Sequence, residues 1–281
     1  MSKIKQCFTS RFDEGFIVEA DFSQLEVIGQ AVVTGDKTLK SDIRNGLDMH
    51  CLNAEFLYGV PYKEIKSGVD AGVKKYIDMR QNAKAPSFLR QYGGGANLLA
   101  KKTGFSRVRC QKFIDKYYER YPKVKEWQDM VAKEVLKYRG PSKYRTKLGL
   151  PAMVGSFKSI TGRRYVFREY DGHMGGTSFS PTEMKNYPIQ GFATGDIVPE
   201  VLGKIFRVIC AAGHRDRILL VNTVHDSIVL DVEKHHLEAA RAILEDIMEA
   251  TPDLMKNRFG IDIDLPIHVD IGWSNNWGEC K

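Results

Sequence analysis

Two aspartates, Asp21 and Asp226, each end an apolar run that is typical of a β-strand. Asp21 closes "GFIVEAD", and Asp226 lies beside His225 after "RILLVNTV". A single carboxylate in such a place is more often a turn residue or a helix N-cap. If the two strands are neighbours in one sheet, however, the carboxylates repel each other unless a cation lies between them. Paired carboxylates that hold two divalent ions about 3.5–4 Å apart promote in-line phosphoryl displacement, and this is the chemistry that the pair predicts.

A second candidate group lies in "RQNAKAPSFLRQYGGGA", where four side chains recur at steps of four and so share one helix face: Arg80, Lys84, Phe88 and Tyr92. Arg and Lys on such a face bind phosphate, and aromatic rings give a base or a sugar a flat surface. The three glycines that follow end the helix and allow close backbone approach. A solvated basic face with two aromatics packed behind it is the alternative. Pro86 predicts a kink or break between Asn82 and Pro86.

The surrounding sequence predicts the elements that position these residues. Strands are expected at "GFIVEADFS" and "LPIHVDIGWSNNW", and a hairpin that turns near His225 and Asp226 is expected in "RILLVNTVHDSIVLDV". Helices are expected in "QLEVIGQAVVTGD", "DMHCLNAEFLYG" and "KHHLEAARAILEDIMEA", the first two ending at Gly35 and Gly59. Strands near both ends and helices between them indicate an α+β fold whose sheet is interrupted in sequence by a helical insertion.

Composition narrows the class of protein. The 281 residues are 43% hydrophobic and 27% charged, which is typical of a soluble globular protein. No apolar run approaches the roughly 20 residues of a membrane span, so we expect no membrane partner. The five cysteines are scattered without a C-x-x-C pair, which argues against a zinc or disulfide framework. The scattered cysteines favour a reducing cytoplasm. A net charge of +7 weakly favours a polyanionic partner.

Eight segments, taken together, resemble the polymerase domain of the family A DNA polymerases, which include bacterial polymerase I and T7-like phage enzymes. "ADFSQLE" is similar to their first acidic motif, "RQNAKAPSFLRQYG" to their nucleotide-binding helix, and "VHDSIVLDV" to their second acidic motif. The other five segments also occur in the family's order: "DMH", "FIDKYYERYPKVKEW", "GRR", "NYPIQG" and "VDIGWSNNW". The ordered set covers almost the whole chain and is therefore more specific than any single motif.

The resemblance implies a role for each residue that matches a family motif. Asp21 and Asp226 would hold two Mg²⁺ ions, for which Mn²⁺ can substitute, with help from the Phe22 carbonyl. Lys84 would also act in catalysis. The residues implied to bind the deoxynucleoside triphosphate (dNTP) are Gln24, Glu26, His50, Arg80, Lys84, Phe88 and Tyr92. Those implied to contact the primer–template are Asn186, Gln190 and His225. The alternatives are a surface glutamate for Glu26, a satisfied core histidine for His50, and loop polar residues for Asn186 and Gln190.

The implied fold is α+β: a right-hand polymerase palm, built as an antiparallel sheet with helices, with a helical fingers insertion. The palm is expected at residues 1–38 and 178–281, and the fingers at residues 39–177. The implied activity is template-directed DNA synthesis, in which a deoxynucleotide is transferred to a primer 3′-hydroxyl by a two-metal mechanism. One alternative is a non-catalytic subunit that binds primer–template or assembles a replication complex. A more distant alternative is a two-metal nuclease.

The sequence departs from the family pattern at several positions. Ser227 stands where the second acidic motif usually has Glu, and we expect activity to survive this change. Ile28 and Thr182 stand where many relatives have Arg, which predicts fewer DNA contacts. "QGFATGDIV" carries one more residue than the common pattern after Gln190.

Relatives also have several hundred residues before the first acidic motif, and these carry a 3′–5′ exonuclease and a thumb. We therefore expect the chain to be the C-terminal half of a split, phage-like polymerase that is active with a partner polypeptide carrying those parts. If a phage encodes it, the location is the host cytoplasm. A trimmed or degenerate copy is the alternative.

Overall fold

A computed structural model describes residues 3–91, 93–172 and 175–280, without the side chains of Phe88 and Gln91. Helices and antiparallel sheets both contribute, which confirms the predicted α+β class. Two compact units divide the chain, residues 1–29 with 190–281 and residues 30–189. None of the helices in the described ranges is long and apolar enough to cross a membrane.

The strands, in chain order, are β1 (Phe16–Phe22), β2 (Val154–Lys158), β3 (Arg164–Asp171), β4 (Thr177–Phe179), β5 (Ile218–Val224), β6 (Ser227–Val232) and β7 (Val269–Ser274). The α-helices are α1 (Leu25–Thr34), α2 (Lys37–Arg44), α3 (Met49–Tyr58), α4 (Tyr62–Asp70), α5 (Lys74–Gln91), α6 (Ala96–Thr103), α7 (Arg107–Arg120), α8 (Pro122–Lys137), α9 (Pro181–Gln190), α10 (Val198–Ala211), α11 (Leu237–Glu249) and α12 (Thr251–Phe259).

The first unit is built on an antiparallel sheet with the order β5–β6–β1–β7. Its central strand β1 is "FIVEADF", and Val18 and Ala20 are fully buried, as are Ile228 and Leu230 of β6. Helix α11 packs against β1, β6 and β7. The predicted strands and the hairpin turn at His225 and Asp226 are confirmed. The sheet thus fixes the end of β1 beside the β5–β6 turn.

A π-helix covers Gly191–Ile197, between α9 and α10. Phe192, Ala193 and Ile197 are buried in it, so the segment is packed rather than looped out. A π turn takes one more residue than an α turn without interrupting the helix. The expectation that this segment carries one residue more than the family pattern stays a prediction, and a wide turn is compatible with it.

The second unit is mainly helical. A buried cluster joins α3 to α7, with Leu57, Ile65, Leu99 and Phe113 among its members. The aromatic residues of α7, of α8 and of the junction between them are mostly core. The fully or nearly fully buried ones are Phe113, Tyr117, Tyr121 and Trp127. A smaller antiparallel sheet of order β2–β3–β4 packs against α8.

Of the predicted kink or break at Pro86, the break is wrong, and the kink stays a prediction. Helix α5 runs from Lys74 to Gln91 with Pro86 inside it. Pro86 is buried and Asn82, whose carbonyl loses its usual donor, is exposed. Ser87 adds a local bond by donating from Oγ to the Ala83 carbonyl at 2.6 Å. Packing of α5 against α3 and α4 holds a helix that Pro86 would interrupt in isolation.

Candidate active site

The sheet of the first unit brings Asp21 and Asp226 together. Strands β1 and β6 pair antiparallel with Asp21 opposite Ser227, so Asp226 lies at the adjoining turn. The Asp21 side chain is exposed and that of Asp226 is half-buried, so the pair is open to a ligand. The two carboxyl groups lie close enough for Asp226 to raise the pKa of Asp21. The predicted proximity of these residues, 205 positions apart in sequence, is therefore present in the structure.

The electrostatics of this pair are those of crowded carboxylates. Partial burial raises the pKa of Asp21 to about 6, helped by repulsion from Asp226, Glu19 and Asp270 in that order. Burial also raises the pKa of Asp226, against the lowering effects of its own backbone N–H and of His225. Burial and mutual repulsion make the ionised form of both groups less stable, and a bound cation would remove that destabilisation.

Divalent metal ions fit this pair as an open site. Within the described ranges, no group of three or more His, Cys, Asp or Glu side chains is arranged to hold a metal ion. Mg²⁺ is commonly held by one or two carboxylates together with water and substrate phosphates, rather than by a closed protein cage. Asp21 and Asp226 match that arrangement, and Phe22 follows Asp21 at the end of β1.

Backbone geometry presents Asp226 at the hairpin tip. His225 has a positive φ of 56°, which a tight hairpin turn requires at its first central position. Gln24 also has a positive φ, of 59°, and its carbonyl accepts the first backbone bonds of α1 from Val27 and Ile28. Both predicted binding residues thus lie in sharp turns beside the strand ends, and Glu26 follows in the first turn of α1.

Two further acids near Asp21 were not predicted from the sequence. Glu19 lies two residues earlier on the same face of β1, and Asp270 of β7 pairs directly with Asp21. Ser23 donates to Asp270 from Oγ at 2.9 Å, and Lys5 Nζ lies 3.3 Å from Glu19 Oε1. The alternation of side chains along "VEAD" could have placed Glu19 beside Asp21, whereas Asp270 needed the strand register.

The second unit groups three of the predicted dNTP residues in a basic cluster. Arg80 and Lys84 lie one turn apart on α5, and His50 lies in the first turn of α3. Burial lowers the pKa of His50, and the positive charges of Arg80 and Lys84 lower it further. His50 is therefore a neutral imidazole beside two cations, able to accept or donate one hydrogen bond.

Asp48 organises this cluster, and sequence reasoning missed it. Its Oδ2 accepts from Arg80 Nε at 2.7 Å, and its Oδ1 accepts from the backbone N–H of His50 and Cys51 at 2.9 and 3.0 Å. Although burial alone would raise it, these hydrogen bonds lower the pKa of Asp48. An Asp just before "MHCLNAEF" is an N-cap signal that the sequence did contain.

The other predicted residues are placed less fully. Asn186 is buried in α9, and Gln190 is the last residue of that helix. Phe88 continues the spacing of Arg80 and Lys84 on α5, but its side chain is outside the described structure, and Tyr92 lies outside the described residues altogether.

The structure shows the surroundings of two residues that depart from the family pattern, Ile28 and Ser227. Ile28 is 3% exposed and belongs to the core, so no charge is needed there. Ser227 is buried and donates from Oγ to the Val224 carbonyl at 3.1 Å and, more weakly, to Glu19 Oε1 at 3.4 Å. A carboxylate is therefore still near this position, but it comes from β1.

Close backbone approach after α5 involves Gly93. Its φ is 76°, and a Cβ atom there would lie 2.9 Å from Lys185 Cδ and 3.3 Å from Thr182 Cα of α9. Glycine is required here on both counts. The space that the glycine leaves is occupied by α9 of the same unit.

Known relatives match the chain over nearly all of its length. The thermostable DNA polymerase I of Thermus filiformis is 27% identical over 281 residues, 99% of this chain and 29% of that protein. DNA polymerase I of Rhizobium leguminosarum is 26% identical over 266 residues, 94% of this chain and 23% of that protein. The chain thus spans less than a third of the length of these relatives.

A similar fold occurs among solved structures. The POL domain of Pol1 from M. smegmatis, solved in complex with DNA primer-template and dNTP, matches with a TM-score of 0.65 and 20% identity, over 99% of this chain and 42% of that one. In sequence, the family model for DNA polymerase family A matches residues 1–279. The family model covers nearly the whole sequence, and the structural match covers nearly the whole fold. The chain therefore belongs to DNA polymerase family A.

Proposed function

We propose that the chain carries out template-directed DNA synthesis, in which the primer 3′-oxygen attacks the α-phosphate of a dNTP and pyrophosphate leaves. The observation that carries the proposal is the pairing of Asp21 with Asp226 on adjoining strand ends, with the pKa of each raised. A non-catalytic DNA-binding subunit gives no reason for two repelling carboxylates to be kept side by side and open to solvent.

The acidic pair would hold the catalytic metal. Two Mg²⁺ ions, or Mn²⁺ in their place, would promote loss of the primer 3′-hydroxyl proton and neutralise the charge that develops on pyrophosphate. Asp21 and Asp226 contribute the anionic oxygens, and the Phe22 carbonyl is proposed as a neutral one. Because Asp21 and Phe22 lie in β1 and Asp226 lies in the two-residue turn that joins β5 to β6, these groups are held in place before substrate binds.

The basic cluster would bind the triphosphate. Arg80 offers a planar fork of donors, Lys84 a compact charge, and neutral His50 one further hydrogen bond. Asp48 fixes the direction of the Arg80 guanidinium before substrate arrives. We propose that Lys84 also stabilises the leaving pyrophosphate, which is its catalytic role.

The remaining roles follow the family pattern and stay proposals. Those on the nucleotide side are Gln24, Glu26, Phe88 and Tyr92, with Glu26 excluding a 2′-hydroxyl. Those on the primer–template side are Asn186, Gln190 and His225. We propose that residues 1–38 and 178–281, which include the β5–β6–β1–β7 sheet, are the palm and that residues 39–177 are the fingers. The two compact units divide near these bounds, after residues 29 and 189.

The finer proposal concerns what the chain needs besides itself. The matched relatives are more than three times as long. We propose that a partner polypeptide carrying a thumb and a 3′–5′ exonuclease increases the affinity for DNA, and hence allows processive synthesis. Full processivity of this chain by itself would contradict that proposal.

Primer extension tests the proposed reaction. The chain is mixed in excess with a labelled primer–template, Mg²⁺ and one dNTP at a time. Addition of only the nucleotide complementary to the template is the expected result. Addition of any nucleotide regardless of template, or loss of the primer 3′ end without dNTP, would contradict it; the second outcome is that of a nuclease.

A further inference from the structure

The positive charge of the chain is concentrated in one segment of the second unit. Residues 139–171 contain eight Lys or Arg and two acidic residues, a net charge of +6 against +7 for all 281 residues. Both acids accept hydrogen bonds, although Asp171 Oδ1 is buried without a partner among the described residues. Glu169 accepts from Arg139 Nε at 2.7 Å and from Thr177 Oγ1 at 2.6 Å, and Asp171 accepts from the backbone N–H of Leu148 at 3.2 Å.

The small β2–β3–β4 sheet has one packed face and one open face. Phe167 and Phe179 lie in the buried cluster with Val135 of α8. On the other face of β3, side chains at every second position are exposed: Arg164, Val166, Arg168 and Tyr170. The open face is thus basic, with an aromatic residue near the end of the strand.

A pocket of about 290 Å³ lies beside this face. Its cationic walls are Arg145 and Lys147, from the loop before β2, and Arg168 of β3. The loop is ordered by its own hydrogen bonds, from Thr146 N to the Leu150 carbonyl at 2.9 Å and from Ala152 N to the Tyr144 carbonyl at 3.0 Å. The cations are therefore carried on a hydrogen-bonded hairpin next to a strand.

These cations form no ion pair with a described carboxylate, although Glu169 and Asp171 line the same pocket. Among the residues that the structure describes, no carboxylate oxygen lies within 4.0 Å of the charged nitrogens of Arg145, Lys147 or Arg168. Lys143, in the same loop, is also exposed and has no such partner among those residues. Exposed like charges this close together repel, and an anion placed among them removes the repulsion.

Two tyrosines flank Arg168. Its Cζ atom lies 6.0 Å from the ring centre of Tyr144 and 5.4 Å from that of Tyr170. Both rings are solvent-exposed, at 46% and 38%. Alternating cations and open aromatic rings suit a strand whose phosphates meet Arg and Lys and whose unpaired bases stack on the rings. A duplex keeps its bases stacked inside and cannot use the tyrosines in this way.

We propose that the pocket of Arg145, Lys147 and Arg168, together with Tyr144 and Tyr170, is a binding site for single-stranded DNA. A backbone phosphate occupies the pocket, and bases stack on the two tyrosines. That this strand is the unpaired template rests on the proposed function. The binding itself needs neither primer, dNTP nor metal.

Equilibrium binding of a labelled oligothymidylate of about twelve nucleotides, a length within the usual site sizes, tests the proposal. The full chain is used in EDTA, without primer or dNTP, over a series of salt concentrations. The surface variant is Arg145→Ser/Lys147→Ser/Arg168→Ser. Its control is Lys101→Ser/Lys102→Ser/Lys112→Ser, which removes the same charge from exposed positions on α6 and α7. Melting temperatures confirm that both variants are folded.

The surface variant is expected to bind at least tenfold more weakly than wild type. The slope of log affinity against log salt concentration is expected to fall by about 0.7, the contribution of one phosphate contact on a single strand. The control variant is expected to change affinity less than threefold. Equal weakening of both variants would indicate general charge attraction and overturn the proposal, as would wild-type affinity in the surface variant.

The aromatic half of the site has its own readout. Tyr144→Ala/Tyr170→Ala should weaken binding about tenfold with an unchanged salt slope, and the double Phe variant should restore it, because stacking needs the ring and not the hydroxyl. Equal binding of a duplex of the same length would overturn single-strand recognition.

One-nucleotide extension on a template with a one-base overhang should stay at the wild-type rate in these variants, so failure of this site and failure of the proposed polymerase reaction are separate results.

Discussion

Arg80 and Asp48 form an ion pair in which Arg80 Nε lies 2.7 Å from Asp48 Oδ2. The same carboxylate caps α3 through the backbone N–H groups of His50 and Cys51. One side chain therefore sets both the start of the helix that carries His50 and the direction of the guanidinium on α5. Asp48 is separated from Arg80 by 32 positions, so it joins two motifs that are distant in sequence.

Asp48→Asn should raise the KM for dNTP about tenfold and change kcat less. Asn is as good an N-cap as Asp, so α3 is kept, but the charge-assisted bond to Arg80 is lost. The melting temperature should fall by no more than about 2–4 °C, the shift for about 1 kcal/mol in a chain of this size. Steady-state kinetics and a thermal melt measure both quantities.

Asp42→Asn is the matched control in the same unit. Asp42 is buried and pairs with Arg120, with 2.7 Å between Asp42 Oδ1 and Arg120 Nη2. Breaking that pair should lower the melting temperature while leaving the KM for dNTP unchanged. An unchanged KM in Asp48→Asn, or an equal rise in both variants, would contradict the positioning role of Asp48.

Asp21→Asn should make the protein more stable at pH 8 in the absence of metal. The pKa of Asp21 is raised from an ordinary 3.8 to about 6, so ionisation of this group costs folding stability as the pH rises through that range. The gain should be about 2–4 °C in melting temperature above pH 7, and it should vanish below pH 4, where the wild-type group is protonated. Thermal melts across pH measure it.

Added Mg²⁺ should make wild type more stable than Asp21→Asn at pH 8, the reverse of the order without metal. A cation that binds only the folded protein raises its stability according to its concentration relative to Kd. Wild type should therefore gain melting temperature with Mg²⁺, whereas Asp21→Asn and Asp226→Asn should gain little. Asp216→Asn, an exposed change in the loop before β5, should behave as wild type. Equal gains in all four proteins would show that the acidic pair does not hold the metal.

Gly93→Ala should destabilise the protein more than Gly104→Ala. Both glycines have a φ of 76°, so each substitution carries similar backbone strain of about 1–2 kcal/mol. Only at Gly93 would the new methyl group meet atoms of α9; at Gly104 no described atom lies within 4 Å. The difference in free energy of unfolding, about 1–3 kcal/mol from urea titrations, reports that contact. Equal losses would mean that α9 does not approach Gly93.

Ser227→Glu should destabilise the metal-free protein by about 1–3 kcal/mol, because it buries a further charge beside Glu19 and Asp21. Adding Glu19→Gln to the same chain should recover much of the loss, since one of the repelling charges is removed. Urea unfolding of both single variants and the double variant forms a thermodynamic cycle. Strictly additive effects would contradict the contact between these positions.

Sequence patterns predicted the parts of this structure that depend on local regularity. Apolar alternation gave β1, β6 and the turn at Asp226, and from these came the acidic pair. The helical spacing of Arg80 and Lys84 was kept in α5. These features are set within a few residues, so the sequence around them is sufficient.

Features that depend on packing were missed or mispredicted. The break expected at Pro86 is absent because neighbouring helices hold α5 together. Asp48 was not recognised as the partner of Arg80, since their contact depends on how α3 packs against α5. Asp270 faces Asp21 only through the register of β7 on β1. None of these relationships leaves a periodic signal in the sequence.

The most direct measurement of the central claim is single-turnover incorporation of one nucleotide with enzyme, primer–template, Mg²⁺ and dNTP all saturating. Wild type should extend the primer with the complementary nucleotide. Asp226→Asn should be at least about 10³-fold slower, while Asp216→Asn matches wild type. Incorporation by Asp226→Asn at the wild-type rate, or none by wild type under these conditions, would contradict the account.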